Sequence, residues 1–406
     1  MSATSPRSSE RARRLGQPSS QRALIALTQV LSLAVWFSVS AVVPSMQQDL
    51  MLNDSTTVWL TGTVQIGFVV GALTATILNL SDRVRPNILL GLSAVLAAVC
   101  TFSVAVFAED VTVALILRFA TGVCLAGVYP VGMKLMASWA SAAERGAAMG
   151  LLIGALTLGS TLPHLISGFA VLPWRTVLNI TAAVALLGAV IAFTVIRVGP
   201  HLPQSSRSLN PRYLLTMFAV AGPRRVNLGY FGHMWELYAL WTWIPLFVLN
   251  SPASPDFRGY DQAMIFFTLG VVGYAGCRAG GRAADRYGRK KAAVVALSIS
   301  GLCCLLSPLA FVAPAPVLAI FCGVWGASVI ADSGVFSAML SEVADQRYVG
   351  TALSAQTAIG FAITVASIQL VSLIANVSSW QLAFLALVPG PLLGVIAMLR
   401  FRQPAG

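Results

Sequence analysis

Twelve apolar runs, each long enough to cross a lipid bilayer, leave this chain few architectures. They occupy residues 23–43, 57–80, 87–108, 111–134, 147–170 and 176–197, then 226–249, 263–281, 292–312, 315–340, 348–375 and 381–401. One membrane helix needs about 20 mostly apolar residues, so twelve need about 240. The chain has 406 residues, of which 57% are apolar. Only 10% are charged, against about 25% in a soluble domain. Such a sequence cannot clothe the surface of a soluble enzyme, a nucleic-acid binder or a secreted scaffold. In hydrocarbon each backbone amide must bond within its own segment, so these runs are helices. The expected fold class is an all-α polytopic membrane protein with twelve transmembrane helices, numbered here 1 to 12 in chain order.

The charge placement fixes the orientation. A net charge of +12 arises from 26 Lys and Arg against 14 Asp and Glu, all in short gaps or at span ends except a few. No face is basic enough to bind nucleic acid. With the N-terminus in the cytoplasm, 23 of the 26 basic residues fall on the cytoplasmic side; Arg175 and Arg258 fall outside and Arg118 lies within the membrane. The positive-inside rule puts both termini in the cytoplasm, as in a multi-pass protein of a bacterial inner membrane. The first run outlasts the roughly 7–15-residue core of a signal peptide and reads as a retained helix. All six cysteines fall in apolar runs without metal-type spacing, and are expected to be reduced packing residues.

The Ser- and Arg-rich residues 1–22 are expected to form a disordered cytoplasmic tail. Residues 198–225, with Pro200, Pro203, Pro211, Pro223 and four arginines, read as a cytoplasmic linker. That linker separates a six-helix bundle at 23–197 from another at 226–401, followed by a tail at 402–406. Internal similarity supports the division. Ser81-Asp82-Arg83 recurs as Ala284-Asp285-Arg286, Glu144-Arg145 as Gln346-Arg347, and Trp174-Arg175 as Trp380-Gln381, at offsets of 203, 202 and 206 residues. Parallel repeats related by an axis along the membrane normal are a known transporter plan, with the substrate site between the halves near the midplane.

The segment from Gly281 to Lys291 closely resembles the loop signature Gly-x-x-x-Asp-Arg-x-Gly-Arg-Lys/Arg of the major facilitator superfamily, and Leu117-Arg118-Phe119-Ala120-Thr121-Gly122 resembles its helix-4 arginine motif. With the helix count and the repeat, the resemblance spans the chain. It implies the major facilitator fold, with two pseudo-symmetric six-helix bundles and with helices 1, 4, 7 and 10 lining the cavity. The stretches Gly159–His164 and Tyr230–Glu236 look like bacterial permeases grouped with cyanate and nitrate carriers. The Gly/Asn-rich nitrate signatures of helices 5 and 11 are missing, and Gly159 is followed by Ser160 where drug exporters carry Gly-Pro.

Arg118, Glu236 and Asp332 are the ionisable residues other than histidine well inside spans. An unpaired charge there costs about 2.5–3.5 kcal/mol on insertion scales, so each should face the cavity or a partner. Arg118 is a candidate for binding an anion or for the proton-coupling role implied by the family. Its alternative role is bonding helix-end carbonyls. Glu236 is a candidate proton carrier, with His233 one turn before it placed to share the proton. The same pair read as a packing hydrogen bond is the alternative. Asp332 is the second candidate carrier, or the counter-ion of Arg118. His164, after Pro163, satisfies a freed carbonyl or touches substrate. Trp36, Gln65, Tyr129, Tyr238 and Gln356 are candidate cavity residues, and Gln29 is a further polar residue within a span. Gly67/Gly71 and Gly150/Gly154 are expected to permit close helix packing.

In the loop signature, Gly281 and Gly288 are expected to allow tight turns, and Asp285 to face the positive end of helix 5. Arg286 and Arg289 are expected to pair across the seam with acids such as Glu144. In the degraded first copy, Asp82 and Arg83 would meet the start of helix 11 and Glu342 or Asp345. These contacts would latch the cytoplasmic gate in the outward-open state.

No Gly-Lys dipeptide, His-Glu-x-x-His, Cys-x-x-Cys or Gly-x-Ser-x-Gly occurs, so neither an ATP-driven pump nor an enzyme is expected, and no metal or cofactor. The expected function is secondary active transport of a small polar or anionic organic solute, coupled to protons, by a chain acting as a monomer. Export of amphipathic drugs is the second reading and a non-transporting membrane sensor the third.

Overall fold

The computed structural model describes residues 17–52, 54–78, 80–141, 144–168, 172–202, 213, 217–345 and 347–402. The expected tails and linker lie partly outside this set. Helix 1 runs over Pro18–Leu33, breaks, and resumes as a 3-10 turn at Ser40–Val42 and a helix at Val43–Leu50. Helices 2 and 3 are Asp54–Ile77 and Pro86–Phe107, joined through a short turn at Leu80–Arg83. Helix 4 is broken into Val111–Leu125 and Tyr129–Ser138, and helices 5 and 6 are Arg145–Gly168 and Trp174–Thr194.

The second half repeats the scheme. Helix 7 is Ala221–Leu249, and helix 8 comprises Asp261–Ile265, a π-helical stretch Phe266–Val271 and Val272–Tyr287. Helix 9 is Arg289–Phe311, and helix 10 is broken into Ala315–Ala331 and Ser333–Val343. Helix 11 is Val349–Val377; helix 12 comprises Trp380–Ala383, a 3-10 turn Phe384–Leu387 and Pro389–Arg400.

Ten of these helices are long and apolar enough to cross a membrane. The other two expected spans are polar or broken for visible reasons. The regular part of helix 1 covers only 16 residues. Helix 7 is continuous over 29 residues, but Arg224, Arg225, Asn227, His233 and Glu236 dilute its apolar content. Helix 1 also begins at Pro18, so residues 18–22 are helical where a disordered tail was expected. Gln21 explains this: its side chain is buried, donating to Val195 O at 3.2 Å and accepting from Arg197 N–H at 2.9 Å. The linker likewise ends earlier than expected, at the start of helix 7.

Local chemistry sets the ends. Proline opens helices 1 and 3, the inner half of helix 4 and the last segment of helix 12, where its missing N–H costs nothing. Asp110 caps helix 4 by accepting from Thr112 N–H. Gly288, at φ +90°, closes helix 8, a conformation that other residues resist.

Which faces meet lipid follows from exposed apolar side chains. On helix 3 these are Leu92, Leu96, Val99, Phe102 and Val106; helix 9 shows Val295, Ile299, Leu302, Leu305 and Leu309. Helices 6 and 12 carry similar stripes, including Leu187, Val190, Leu392, Ile396 and Leu399. A soluble monomer does not expose apolar area on this scale. Helices 3, 6, 9 and 12 thus face lipid on the outside.

Small residues set the close packing inside each half. A Cβ on Gly67 would lie 2.1 Å from Phe119 O, and one on Gly122 the same distance from Val64 O, fixing helix 2 against helix 4. In the other half, Gly276 and Gly280 press helix 8 onto Ala327 and Ala331 of helix 10. Between the halves, helix 5 lies along helix 8: a Cβ at Gly154 would meet the Tyr274 ring at 2.3 Å, one at Gly270 would meet Thr161 Oγ1 at 2.3 Å, and one at Gly168 would meet Ala263 N at 2.8 Å. Gly150, expected to act with Gly154, has nothing within 4 Å.

These contacts separate two glycines that look alike in sequence. Gly67→Ala forces a methyl group onto backbone and is expected to cost about 1–3 kcal/mol, lowering the thermal unfolding midpoint in detergent. Gly150→Ala should leave it unchanged or raise it slightly. Equal melting of the two variants would contradict the packing described.

Candidate functional site

Arg118 lies one-third of the way along helix 4, 1% exposed. Its guanidinium reaches the break in helix 1: Nη1 donates to Val35 O at 3.0 Å, Nη2 to Trp36 O at 2.6 Å, and Nε to Leu60 O of helix 2 at 3.3 Å. Ser38 Oγ lies 3.5 Å from Nη1. The expected substrate-binding or counter-ion role is therefore not what the geometry shows. Carbonyls freed where helix 1 unwinds would be stranded in hydrocarbon, and Arg118 satisfies them. Asp332 is not its counter-ion.

Beyond this clamp, aromatic rings from both halves meet in the seam. Trp36 packs on Phe68, Tyr238 and Phe361 at ring-centroid distances of 5.0, 5.7 and 5.6 Å. Phe37 meets Tyr238 at 5.9 Å and Trp241 at 5.8 Å, and Phe68 meets Phe361 at 4.2 Å. Helices 1, 2, 7 and 11 supply these rings. Among the described residues, Trp36 Nε1, Trp241 Nε1 and both amide atoms of Gln65, one turn before Phe68 on helix 2, are buried with no hydrogen-bond partner. Buried polar groups are normally paired, so a cluster of orphaned donors in an aromatic-walled seam is where a polar ligand gains most. Trp36, Gln65 and Tyr238 were legible as candidates. Phe68 and Phe361 were not, because one more phenylalanine in an apolar span carries no signal.

The C-terminal half holds the buried acids. Glu236 Oε1 accepts from Trp325 Nε1 at 2.6 Å and from Cys304 Sγ at 3.3 Å; Oε2 accepts from Ser300 Oγ at 2.9 Å. All three donors belong to helices 9 and 10, so Glu236 points into its own bundle rather than into the seam. His233 does not share its proton. Its Nδ1 lies 2.8 Å from Asp332 Oδ1, both side chains being 1% exposed. Among the described residues, His233 Nε2 has no hydrogen-bond partner.

Asp332 is the residue at which helix 10 breaks, and Val128 precedes the inner part of helix 4 in the same way. The two are 204 residues apart, matching the repeat. Gln29 of helix 1 donates through Nε2 to Val128 O at 3.1 Å. His233 of helix 7 is likewise 204 residues on from Gln29. One half therefore ties its broken helix with a neutral amide, the other with a titratable pair.

Of the remaining candidates, Gln356 and His164 have structural partners. Gln356 donates to Asn227 Oδ1 at 3.1 Å, joining helix 11 to helix 7. Tyr129 opens the inner half of helix 4, partly buried. His164 Nδ1 lies 2.7 Å from Gln262 Oε1, a bond across the seam near the outer ends of helices 5 and 8. Neither a carbonyl freed by Pro163 nor open space is its neighbour; Gln262 was not foreseen, since nothing in its local sequence marks it.

At the cytoplasmic end, a Cβ on Gly146 would lie 3.9 Å from Asp285 Oδ1, placing this carboxylate at the first turn of helix 5 as expected. The other gate contacts differ. Gly281 is interior to helix 8 and makes no turn. Arg289 pairs with Glu342 of its own half, and Arg286 stacks its guanidinium 5.3 Å from the Tyr287 ring. Glu144 bonds Ser141 and Arg22, both in its own half, and these hold its carboxyl below the usual range, Ser141 contributing most. Asp345 is held low mainly by Arg347. Arg83 is exposed, and the Asp82 side chain lies outside the described residues. Among the described residues, neither Arg286 nor Arg289 makes an ion pair across the seam, Glu144 being taken by Arg22 and Ser141.

The family model described as Major Facilitator Superfamily matches residues 25–368 and 280–406. The chain is 25% identical over 320 residues to a probable sulfoacetate transporter, SauU, of Cupriavidus necator, covering 72% of each. Solved structures share the fold. The proton:xylose symporter XylE superposes with a TM-score of 0.71 at 18% identity, over 94% of each chain. The nucleoside transporter NupG gives 0.70 at 14%, over 93% of this chain and 99% of that one. A bacterial homologue of the lysosomal transporter Spinster gives 0.69 at 16%, over 94% and 95%.

Arg118→Gln separates a clamp from a ligand-binding residue. Losing charged hydrogen bonds to buried carbonyls is expected to cost about 2–4 kcal/mol, lowering the melting midpoint without any ligand present. A variant as stable as the parent would place Arg118 among the substrate contacts instead.

Proposed function

The chain belongs to the major facilitator superfamily, and we propose that it carries a small organic anion across a bacterial cytoplasmic membrane by alternating access, coupled to protons. It is a multi-pass membrane transporter rather than an enzyme. The observation that carries the finer reading is the His233–Asp332 pair, buried at the break of a cavity-lining helix. A carboxylate in that place is costly to keep charged without a strong partner. His233 Nδ1 is close enough to exchange a proton with it, and Nε2 has room for another contact.

The anion would be held by neutral donors. Trp36 Nε1, Trp241 Nε1 and Gln65 Nε2 are unpartnered, while the Arg118 donors are committed to carbonyls. The inner half of helix 4 also begins near the midplane at Tyr129, so its positive end can face an anion, as half-helices do in other transporters. The corresponding end in helix 10 already carries Asp332. SauU is named for a small dianion, in line with this chemistry. Drug export draws less support. Glu236, the acid nearest the aromatic rings along helix 7, is saturated by three donors and offers no counter-charge to a lipophilic cation.

Uptake of radiolabelled sulfoacetate and related small carboxylates into proteoliposomes tests the proposal. An inward proton gradient should raise accumulation several-fold. Asp332→Asn should abolish the gradient-driven part, by tenfold or more, while exchange of internal for external substrate continues. Gradient-independent uptake, or transport of lipophilic cations without any anion, would overturn it.

A further inference from the structure

A second polar site lies away from the seam, where helices 7, 9 and 12 end on the basic face. A basin of about 480 Å³ is lined by Arg225, Lys290, Leu399, Arg400, Phe401 and Arg402. Four of its six lining residues are cationic and none is acidic. Among the described residues no carboxylate is paired with Arg225, Lys290, Arg400 or Arg402. Lys290 Nζ donates to Leu399 O at 3.0 Å and to Phe401 O at 2.8 Å. It thereby pins the end of helix 12 over the start of helix 9 and fixes Arg400 and Arg402 beside Arg225. Phe401, 2% exposed, anchors the same segment.

Repulsion among four cations in one basin is unfavourable, and the positive-inside rule asks for basic residues on this face but not for four gathered in one basin. The equivalent corner of the first half, where helix 1 meets the end of helix 6, is closed by the neutral amide of Gln21 through Val195 and Arg197. A ligand carrying negative charge accounts for what the packing does not. The surroundings indicate its source. Leu392, Ile396 and Leu399 stand on one face of helix 12 and are exposed, so the basin opens at the end of a lipid-facing stripe.

We infer that Arg225, Lys290, Arg400 and Arg402 bind the phosphate headgroup of an anionic lipid in the cytoplasmic leaflet, its acyl chains lying along helix 12. The leaflet follows from the charge-based orientation, and the site is independent of the transported substrate. Arginine suits the role because its planar fork grips phosphate oxygens in pairs.

Native mass spectrometry of the full chain in detergent, titrated with phosphatidylglycerol, phosphatidylcholine and inorganic phosphate, tests this. Phosphatidylglycerol should bind at least tenfold more tightly than phosphatidylcholine. Each arginine removed should weaken it about fivefold, so Arg225→Gln, Arg400→Gln and Arg402→Gln combined should weaken it roughly hundredfold. Arg258→Gln, on the opposite face, should change nothing. Arg402→Gln alone lies past the end of helix 12 and tests the site if the triple variant unfolds. Equal binding of both lipids, or unaltered binding in Arg402→Gln and the triple variant, overturns the site. Inorganic phosphate that binds without lipid and displaces phosphatidylglycerol at sub-millimolar concentration overturns the lipid assignment.

Discussion

The break in helix 1 depends on the guanidinium of Arg118, which holds the carbonyls of Val35 and Trp36. A helix that unwinds in hydrocarbon must find partners for its freed backbone, or refold. By supplying them, Arg118 lets helix 1 break between Leu33 and Ser40 and turn Trp36 and Phe37 into the seam. The main-chain hydrogen bonds of this buried charge thus all go to helices 1 and 2.

The two halves use the same plan with different chemistry. At repeat-equivalent places, Gln29 and His233 each reach the point where a lining helix breaks. The amide in the first half has one protonation state at any accessible pH, whereas the imidazole and carboxylate in the second have several. At these two positions the repeat thus keeps the placement and changes the chemistry.

The helical spans were open to reading because apolar length is imposed by the bilayer itself, and the repeat because the same marks recur half a chain apart. Pairings were harder. Arg118, Glu236 and Asp332 each stand out as costly, but cost alone does not say which neighbour relieves it. Arg118 found carbonyls that exist only because helix 1 breaks, and nothing in residues 34–39 announces that break. Glu236 found Ser300, Cys304 and Trp325, ordinary residues on two later helices. The break at Asp332 was within reach, since the 204-residue offset links it to Val128, which lies between Gly127 and Pro130. Gate contacts misled for another reason: surface arginines have several acids nearby and take the nearest, as Arg289 does with Glu342.

The long contact between helices 5 and 8 has a mechanical side. Tyr274 sits in the notch at Gly154, and one helical turn away Gly150 offers a second notch with nothing in it. The ring, with the close approaches of Gly270 to Thr161 and of Gly168 to Ala263, fixes the height at which helix 8 lies against helix 5. The boundary between the halves is thus keyed at three levels along its length, so that the register of one half against the other is set by shape and needs no ion pair.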